Sequence, residues 1–144
     1  MADEDAAIAR ETMSLAVGLG ERLRQRYATK AAEFGLTAVQ AKVLSRLSAD
    51  KPRSMRAIAV NLHVDPANLT AIVDKLEARG LIERHEATGD RRAKALVITP
   101  AGARTCSVFH AALAADTGPL AGLPADRVRL LRDLLREILA EELA

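Results

Sequence analysis

Apolar residues recur at helical spacing along most of this chain, and the breaks between these runs outline its elements. The first run covers residues 5–28, and its intervals of four and seven residues place its members on one stripe of a helix. The stripe comprises Ile8, Leu15, Leu19, Leu23 and Tyr27. Gly18 and Gly20 weaken this first helix, because each costs about 1 kcal/mol relative to Ala in a helix interior. Gly35 breaks the pattern.

Capping residues predict the starts of the next two helices. Thr37 is a favoured N-cap, and Gln40 three residues later completes a capping box for the second helix, which we expect to end before Asp50. Its predicted buried face consists of Val39, Val43, Leu44 and Leu47. Ser54 caps a short third helix, whose inner positions are Ile58, Ala59 and Leu62.

A tight turn then leads directly into a fourth helix. Asp65 is a favoured N-cap, and Pro66 occupies the first helical position, where its missing N–H costs nothing. The fourth helix is predicted from Pro66 to about Arg79, where Gly80 ends it. Its predicted inner residues are Leu69, Ile72, Val73 and Leu76.

After Gly80 the spacing of apolar residues changes from that of a helix to that of strands. Residues 81–86 and 94–98 are predicted as two strands, joined by a polar loop that contains Gly89, Asp90, Arg91 and Arg92. Thr99 and Pro100 repeat the cap-plus-proline signal and start a fifth helix, which is interrupted by Gly118, Pro119 and Gly122. Pro124 starts a last helix with one broad apolar face, formed by Val128, Leu131, Leu134, Leu135, Ile138 and Leu139.

This order of elements predicts a mainly α fold with a small β-hairpin. Two short helices joined by a tight turn and followed by a hairpin form a winged helix-turn-helix, with helices for dimerisation at both ends of the chain. At 144 residues the chain suits a single domain. We expect residues 30–100 to form a DNA-binding lobe, and residues 1–29 and 101–144 to form a helical dimerisation region.

Charge is distributed unevenly along the chain. Residues 42–94 carry eleven basic and seven acidic side chains, a net charge of +4, whereas residues 1–35 and 95–144 each carry −1. A positive middle segment indicates a polyanionic partner, although an ordinary solvated face would give the same count. Aromatic residues make up only 2% of the chain, which argues against single-strand binding by base stacking.

Several classes of protein and site are not expected from this sequence. Cys106 is the only cysteine, which excludes an intrachain disulfide and a site of several cysteines. There is no Gly-rich phosphate loop and no recognisable catalytic constellation, so we expect no enzyme activity, no cofactor and no metal. An acidic N-terminus and the lack of a long apolar run predict a cytoplasmic protein without a membrane partner.

The outward residues of the fourth helix suit contact with base pairs. They are small or polar, so the helix backbone could approach base edges in the major groove. We expect Asn68 and Thr70 to hydrogen-bond base edges and Lys75 to contact a phosphate. The predicted DNA-binding residues of this region are Ser54, Arg56, Ala67, Asn68, Thr70, Ala71 and Lys75. Taken alone, these residues would equally suit an ordinary exposed helix.

The hairpin tip strengthens the DNA-binding interpretation. Arg91 and Arg92 follow a Gly89-Asp90 turn, and an arginine carried on a narrow loop can enter the minor groove. Asp90 is expected to support this loop by bonding backbone N–H groups or a neighbouring guanidinium. Lys94 is a further candidate for phosphate contact.

Several linked segments resemble the MarR (multiple antibiotic resistance regulator) family. They are residues 36–44, residues 58–65, residues 69–84, Asp90-Arg91-Arg92 and residues 97–102. The resemblance implies a homodimeric, ligand-responsive regulator, usually a repressor, that binds a pseudo-palindromic operator. It also implies that Pro66–Arg79 is the recognition helix and Arg92 the minor-groove residue. Ala71 departs from the larger or basic residue that many members carry after the recognition-helix Thr.

The terminal helices carry more apolar surface than the core of one chain can cover. Burying their large aliphatic side chains against a second chain would contribute about 1.5–3 kcal/mol each before entropy is counted. The predicted partner is therefore a second copy of this chain. The expected dimerisation residues are Ile8, Leu15, Leu19, Val128, Leu131, Leu134, Leu135 and Ile138.

Two questions stay open at the level of sequence. Similar proteins bind small aromatic or amphipathic effectors, but no residue here marks such a site, and Cys106 is interpreted as an inert thiol rather than a redox sensor or, with His110, half of a metal site. The alternative function is a winged-helix scaffold that has lost DNA recognition. Ala71 favours that alternative, and Arg91 with Arg92 argues against it.

Overall fold

The structure is a computed structural model that describes residues 2–87 and 89–140, with the side chains of residues 3–86 and 94–140. Six α-helices and a small antiparallel sheet make up the described chain, in agreement with the predicted fold class. In chain order the elements are α1 (Ala2–Glu33), α2 (Ala38–Ser45), β1 (Arg53–Ser54), α3 (Met55–Leu62), α4 (Pro66–Ala78), β2 (Ile82–Ala87), β3 (Asp90–Ile98), α5 (Pro100–Ala115), a 3₁₀ turn (Gly118–Leu120) and α6 (Ala125–Ala140).

The predicted helix starts are confirmed where a cap was recognised. The Thr37 hydroxyl accepts from the Gln40 amide at 3.2 Å, and the Gln40 side chain accepts from the Thr37 amide at 2.9 Å. At the start of α5, the Thr99 hydroxyl accepts from the Gly102 amide at 3.0 Å. Caps of this kind satisfy amide groups that have no partner within their own helix, so they locate a helix start from local sequence.

Several element boundaries differ from the sequence prediction, and one strand was not predicted. The first helix continues through Gly18 and Gly20 to Glu33, because good helix formers surround the two glycines. The second helix ends at Ser45, so Leu47 lies beyond it and is only half-buried. A strand that was not predicted, β1, precedes α3, and β3 begins at Asp90 rather than at Lys94.

The sheet has the order β1-β3-β2 with all neighbours antiparallel. Ile82 pairs with Ile98 at one end of the β2–β3 hairpin, and Glu86 pairs with Lys94 near the other. The short strand β1 adds to the free edge of β3, with Arg53 opposite Leu96. Since β1 runs directly into α3, this pairing joins the hairpin to the start of α3.

The chain divides into two compact units, of which Arg24–Ala115 is the larger. Its core gathers buried side chains from the end of α1 through α5, and Phe109 of α5 is 1% exposed. The Phe109 ring makes edge-to-face contacts with Tyr27 and Phe34, at centroid distances of 5.2 Å and 5.8 Å. Such contacts are favourable for aromatic rings, so the few aromatics of this chain serve its core.

The smaller unit comprises Met1–Leu23 and Asp116–Ala144. Its long side chains are mostly exposed: Leu15 of α1 is 67% exposed and Ile138 of α6 is 62% exposed. No residue of α6 within the described range is buried. The predicted division of function between residues 30–100 and the terminal segments stays a prediction.

Candidate nucleic-acid interface

A tight turn joins α3 to α4 in the larger unit. His63 ends α3 in the left-handed conformation, with φ of 51°, and the amide of Val64 donates to the Ala59 carbonyl at 3.0 Å. Left-handed residues commonly end helices because they turn the chain and satisfy the last carbonyl groups. The sequence therefore folds here as two helices separated by the three residues His63–Asp65, as a helix-turn-helix requires.

The start of α4 is held by Asp65. One oxygen of its carboxylate accepts from the amides of Ala67 at 3.0 Å and Asn68 at 3.3 Å. Leu69, Val73 and Leu76 attach the opposite side of the helix to the core. The first turn of α4 is consequently fixed both by its cap and by its packing.

The predicted contact residues of α4 are all exposed. Ala67 and Ala71 lie four residues apart on its outer face, where their methyl groups leave the helix backbone close to solvent. Thr70 donates its hydroxyl hydrogen to the Pro66 carbonyl at 3.0 Å, so its oxygen is left to act as an acceptor and its methyl group as an apolar contact. The exposed residues are Ala67, Asn68, Thr70, Ala71, Asp74 and Lys75.

Three predicted DNA-binding residues lie outside α4 but within the described side chains. Ser54 is half-buried, and its hydroxyl accepts from the Ala57 amide at 3.1 Å, so it caps α3. Arg56 is exposed in the first turn of α3. Lys94 is exposed on β3, opposite Glu86. Their contacts with DNA stay predictions.

The predicted hairpin tip is described only in part. Gly89 has φ of +90°, a conformation that glycine adopts readily, and the backbone of Asp90, Arg91 and Arg92 belongs to β3 rather than to a loop. The side chains of these three residues lie outside the described part of the structure. Their roles in supporting the hairpin and entering the minor groove stay predictions.

A three-residue ion cluster that the sequence prediction missed connects the hairpin to α4. The Arg84 guanidinium of β2 donates through Nη2 to Asp74 and through Nη1 to Glu77, both on α4. Burial would by itself lower the pKa of Arg84, but the hydrogen bond to Asp74 and the charges of Glu77 and Asp74 outweigh it and raise the pKa. Arg84 is therefore a permanent cation beside two carboxylates.

Cys106 belongs to a small polar cluster between α2 and α5. Its Sγ lies 3.9 Å from His110 Nδ1 and 3.8 Å from Ser45 Oγ, and Ser45 Oγ lies 2.9 Å from His110 Nε2. No group of three or more His, Cys, Asp or Glu residues suited to a metal ion occurs among the residues that are described. Within the same residues, no helix is long and apolar enough to cross a membrane.

Comparison with known proteins gives one consistent result. The MarR family model matches residues 36–94. The multiple antibiotic resistance protein MarR of Salmonella typhimurium is 33% identical over 106 residues, which cover 72% of this chain and 74% of that protein.

Solved structures agree with this match. The apo form of wild-type MarR from E. coli has a TM-score of 0.82 at 26% identity, over 88% of this chain and 94% of that one. The structure of CouR from Rhodococcus jostii RHA1, bound to p-coumaroyl-CoA, has a TM-score of 0.68 at 27% identity, over 86% and 88% of the two chains. The protein therefore belongs to the MarR family of transcriptional regulators and has their winged-helix DNA-binding fold.

Proposed function

We propose that this protein is a sequence-specific regulator, acting as a repressor, that binds a pseudo-palindromic operator as a homodimer. The observation that carries this proposal is the outer face of α4, where Ala67 and Ala71 are exposed beside Asn68 and Thr70 on a capped and well-packed helix. A small outer face permits the close approach that readout of base edges in the major groove requires. Among the side chains of this interface that the structure describes, no arrangement suggests catalysis.

The proposed contacts fall into two classes. Asn68 and Thr70 read base edges, while Ala67 and Ala71 contact thymine methyl groups. Arg56, Lys75 and Lys94 neutralise phosphates, and Arg91 with Arg92 reaches the minor groove from the hairpin. Ser54 contributes by setting the start of α3, and Asp90 by supporting the hairpin.

The homodimer is supported by the exposed apolar face of α6. Leu134 is 48% exposed and Ile138 is 62% exposed, and an open apolar groove of about 470 Å³ runs beside Leu131 and Leu135. Surfaces of this kind mark interaction sites. Two copies related by a two-fold axis would place two α4 helices about 34–36 Å apart on one side of a duplex.

A small-molecule effector is part of the proposal. A relative at 27% identity, CouR, was solved with p-coumaroyl-CoA bound. An effector that binds the DNA-free form better than the DNA-bound form would release the operator. We place the protein in the cytoplasm, where its operator would be accessible to it.

The direct test is selection of bound sequences from a pool of random duplexes. Enrichment of a sequence with two inverted half-sites, one helical turn apart, is expected, followed by nanomolar binding of a duplex that carries it. Binding that is equally weak for selected and scrambled duplexes would identify the protein as a winged-helix scaffold instead. Repression is then tested with a reporter gene placed behind the selected operator.

A further inference from the structure

The helix proposed to enter the major groove is not itself basic. Between Pro66 and Ala78 it carries two acidic residues, Asp74 and Glu77, and one basic residue, Lys75, for a net charge of −1. Asp65 adds another carboxylate at its start. DNA carries one negative charge per about 1.7 Å of its axis, so unpaired carboxylates on this helix would oppose binding.

The negative charge of Asp65 is stabilised by the helix itself. Its carboxylate accepts from two amides of the first turn, Ala67 and Asn68, where the positive end of the helix dipole also favours a negative charge. Asp74 and Glu77 lie in the second half of the helix and have no such compensation there. Both are partly accessible, with side chains 59% and 38% exposed.

Arg84 provides the missing positive charge from another element. Its guanidinium bonds Asp74 and Glu77 at the same time, and its backbone amide donates to the second oxygen of Glu77 at 3.3 Å. The side chain of Arg84 is only 22% exposed. A planar guanidinium can serve two carboxylates with separate nitrogen atoms, which the single ammonium group of a lysine does less well.

We propose that Arg84 is a positioning residue for DNA binding, which acts by neutralising Asp74 and Glu77 so that α4 can approach the polyanion. It does so without touching DNA. This inference rests on the proposed function. It gives β2 the role of neutralising the acidic side chains of α4. In this view the two carboxylates join α4 to the hairpin without repelling DNA, as long as Arg84 remains between them.

Three variants separate this role from the alternatives. Arg84→Met removes the charge and keeps an apolar side chain of similar length. A double variant, Asp74→Asn with Glu77→Gln, removes the two carboxylates and keeps Arg84. A triple variant combines all three changes, and Arg104→Met on α5 is the control for the loss of one positive charge elsewhere. Affinity for the selected duplex is measured by fluorescence anisotropy at two salt concentrations, at a temperature where circular dichroism shows each variant to be folded.

The expected pattern is specific to neutralisation. Arg84→Met binds at least about tenfold more weakly than the wild type, and this deficit shrinks as salt rises because exposed charges are screened. The triple variant recovers to within about threefold of the wild type, since no unbalanced carboxylate remains. The double variant binds as well as the wild type or better, and Arg104→Met changes affinity by less than about threefold.

Each contrary result overturns the inference for a stated reason. A triple variant as weak as Arg84→Met, together with a double variant that binds like the wild type, would mean that Arg84 contacts DNA itself. A double variant at least about tenfold weaker than the wild type would mean that the bridge matters for geometry and not for charge. This comparison uses only the double variant and the wild type, so it remains decisive if Arg84→Met fails to fold. Unchanged binding by Arg84→Met removes the role altogether. Failure of the wild type to select any duplex would instead refute the proposed function.

Discussion

Arg79 donates from Nη1 to the backbone carbonyl of Gly35 at 2.5 Å, which ties the end of α4 to the turn between α1 and α2. The same guanidinium donates from Nη2 to the Phe34 carbonyl at 3.3 Å. Gly35 has φ of +66°, so its carbonyl faces this arginine from a turn that few other residues would adopt. The far end of the proposed recognition helix is thus held by a contact that spans 44 residues of sequence.

Arg79→Met is expected to destabilise the larger unit modestly. The substitution leaves two carbonyl groups without this donor, and a typical hydrogen bond of this kind contributes about 1 kcal/mol. Urea denaturation followed by circular dichroism measures the change in the free energy of unfolding. Arg104→Met, a like substitution on the exposed face of α5, is expected to change it by less than about 0.5 kcal/mol. Equal effects of the two variants would contradict a structural role for Arg79.

Gly102→Ala is expected to be strongly destabilising. A Cβ at this position would lie 2.0 Å from the Leu81 carbonyl oxygen and 2.8 Å from Cγ1 of Ile98, and backbone cannot move aside cheaply. We expect a loss of about 3 kcal/mol or more, seen as a lower thermal midpoint. Gly20→Ala is the matched control, because a Cβ there meets nothing within 4 Å inside α1. That variant should gain about 0.5–1 kcal/mol. A well-tolerated Gly102→Ala would mean that α5 packs less closely on the strand.

Arg92→Ala should weaken binding to the selected duplex. An arginine in the minor groove lies in the negative potential of the phosphates. We expect it to contribute about 1–3 kcal/mol to the free energy of binding and to change the slope of log affinity against log salt concentration by about one. Anisotropy titrations at several salt concentrations measure both quantities. Arg104→Ala serves as the control for net charge. Unchanged affinity for Arg92→Ala would remove the hairpin tip from the proposed interface.

Two glutamates on the exposed face of α6 should abolish the proposed dimer. In the double variant Leu134→Glu, Ile138→Glu, charged groups would have to be buried at the interface, which is costly without partners. Analytical ultracentrifugation is expected to show a monomer that binds the operator at least about tenfold more weakly. Arg129→Glu makes the same change in net charge on roughly the opposite side of α6 and should leave the dimer intact. A dimeric double variant would place the interface elsewhere.

Alkaline pH should reduce stability through Tyr27. Burial raises the pKa of this phenol above its ordinary value of 10.0, and the hydrogen bond with Ser45 opposes the shift only in part. Because the pKa is higher in the folded state, the contribution of the neutral phenol is complete below pH 10 and is lost as pH rises through the folded-state pKa. Urea titrations should therefore show that the wild type loses more stability than Tyr27→Phe between about pH 9 and about pH 11. Identical pH profiles would contradict this assignment.

Local sequence signals located most elements because their physical causes are local. A cap and the amides it satisfies lie within one turn, as with Thr37 and Gln40, and hydrophobic periodicity is read from neighbouring residues. The same signals identified α4 from Asp65 and Pro66 and predicted which of its residues are exposed. They were less reliable where local preference is weak, which is why α1 continued through two glycines and the two-residue strand β1 was not predicted.

Sequence by itself therefore determined the order of the helices and of the β2–β3 hairpin, the family and the outer face of α4. Only the tertiary structure decided how the charges of that helix are balanced. Asp74 looked like one more outward residue until the chain brought Arg84, ten positions further on, against it and Glu77. Periodicity states which side of a helix is buried, but the partner of an exposed carboxylate depends on which strand the fold places beside it. Tertiary packing supplied that partner, on which the proposed approach of this acidic helix to DNA depends.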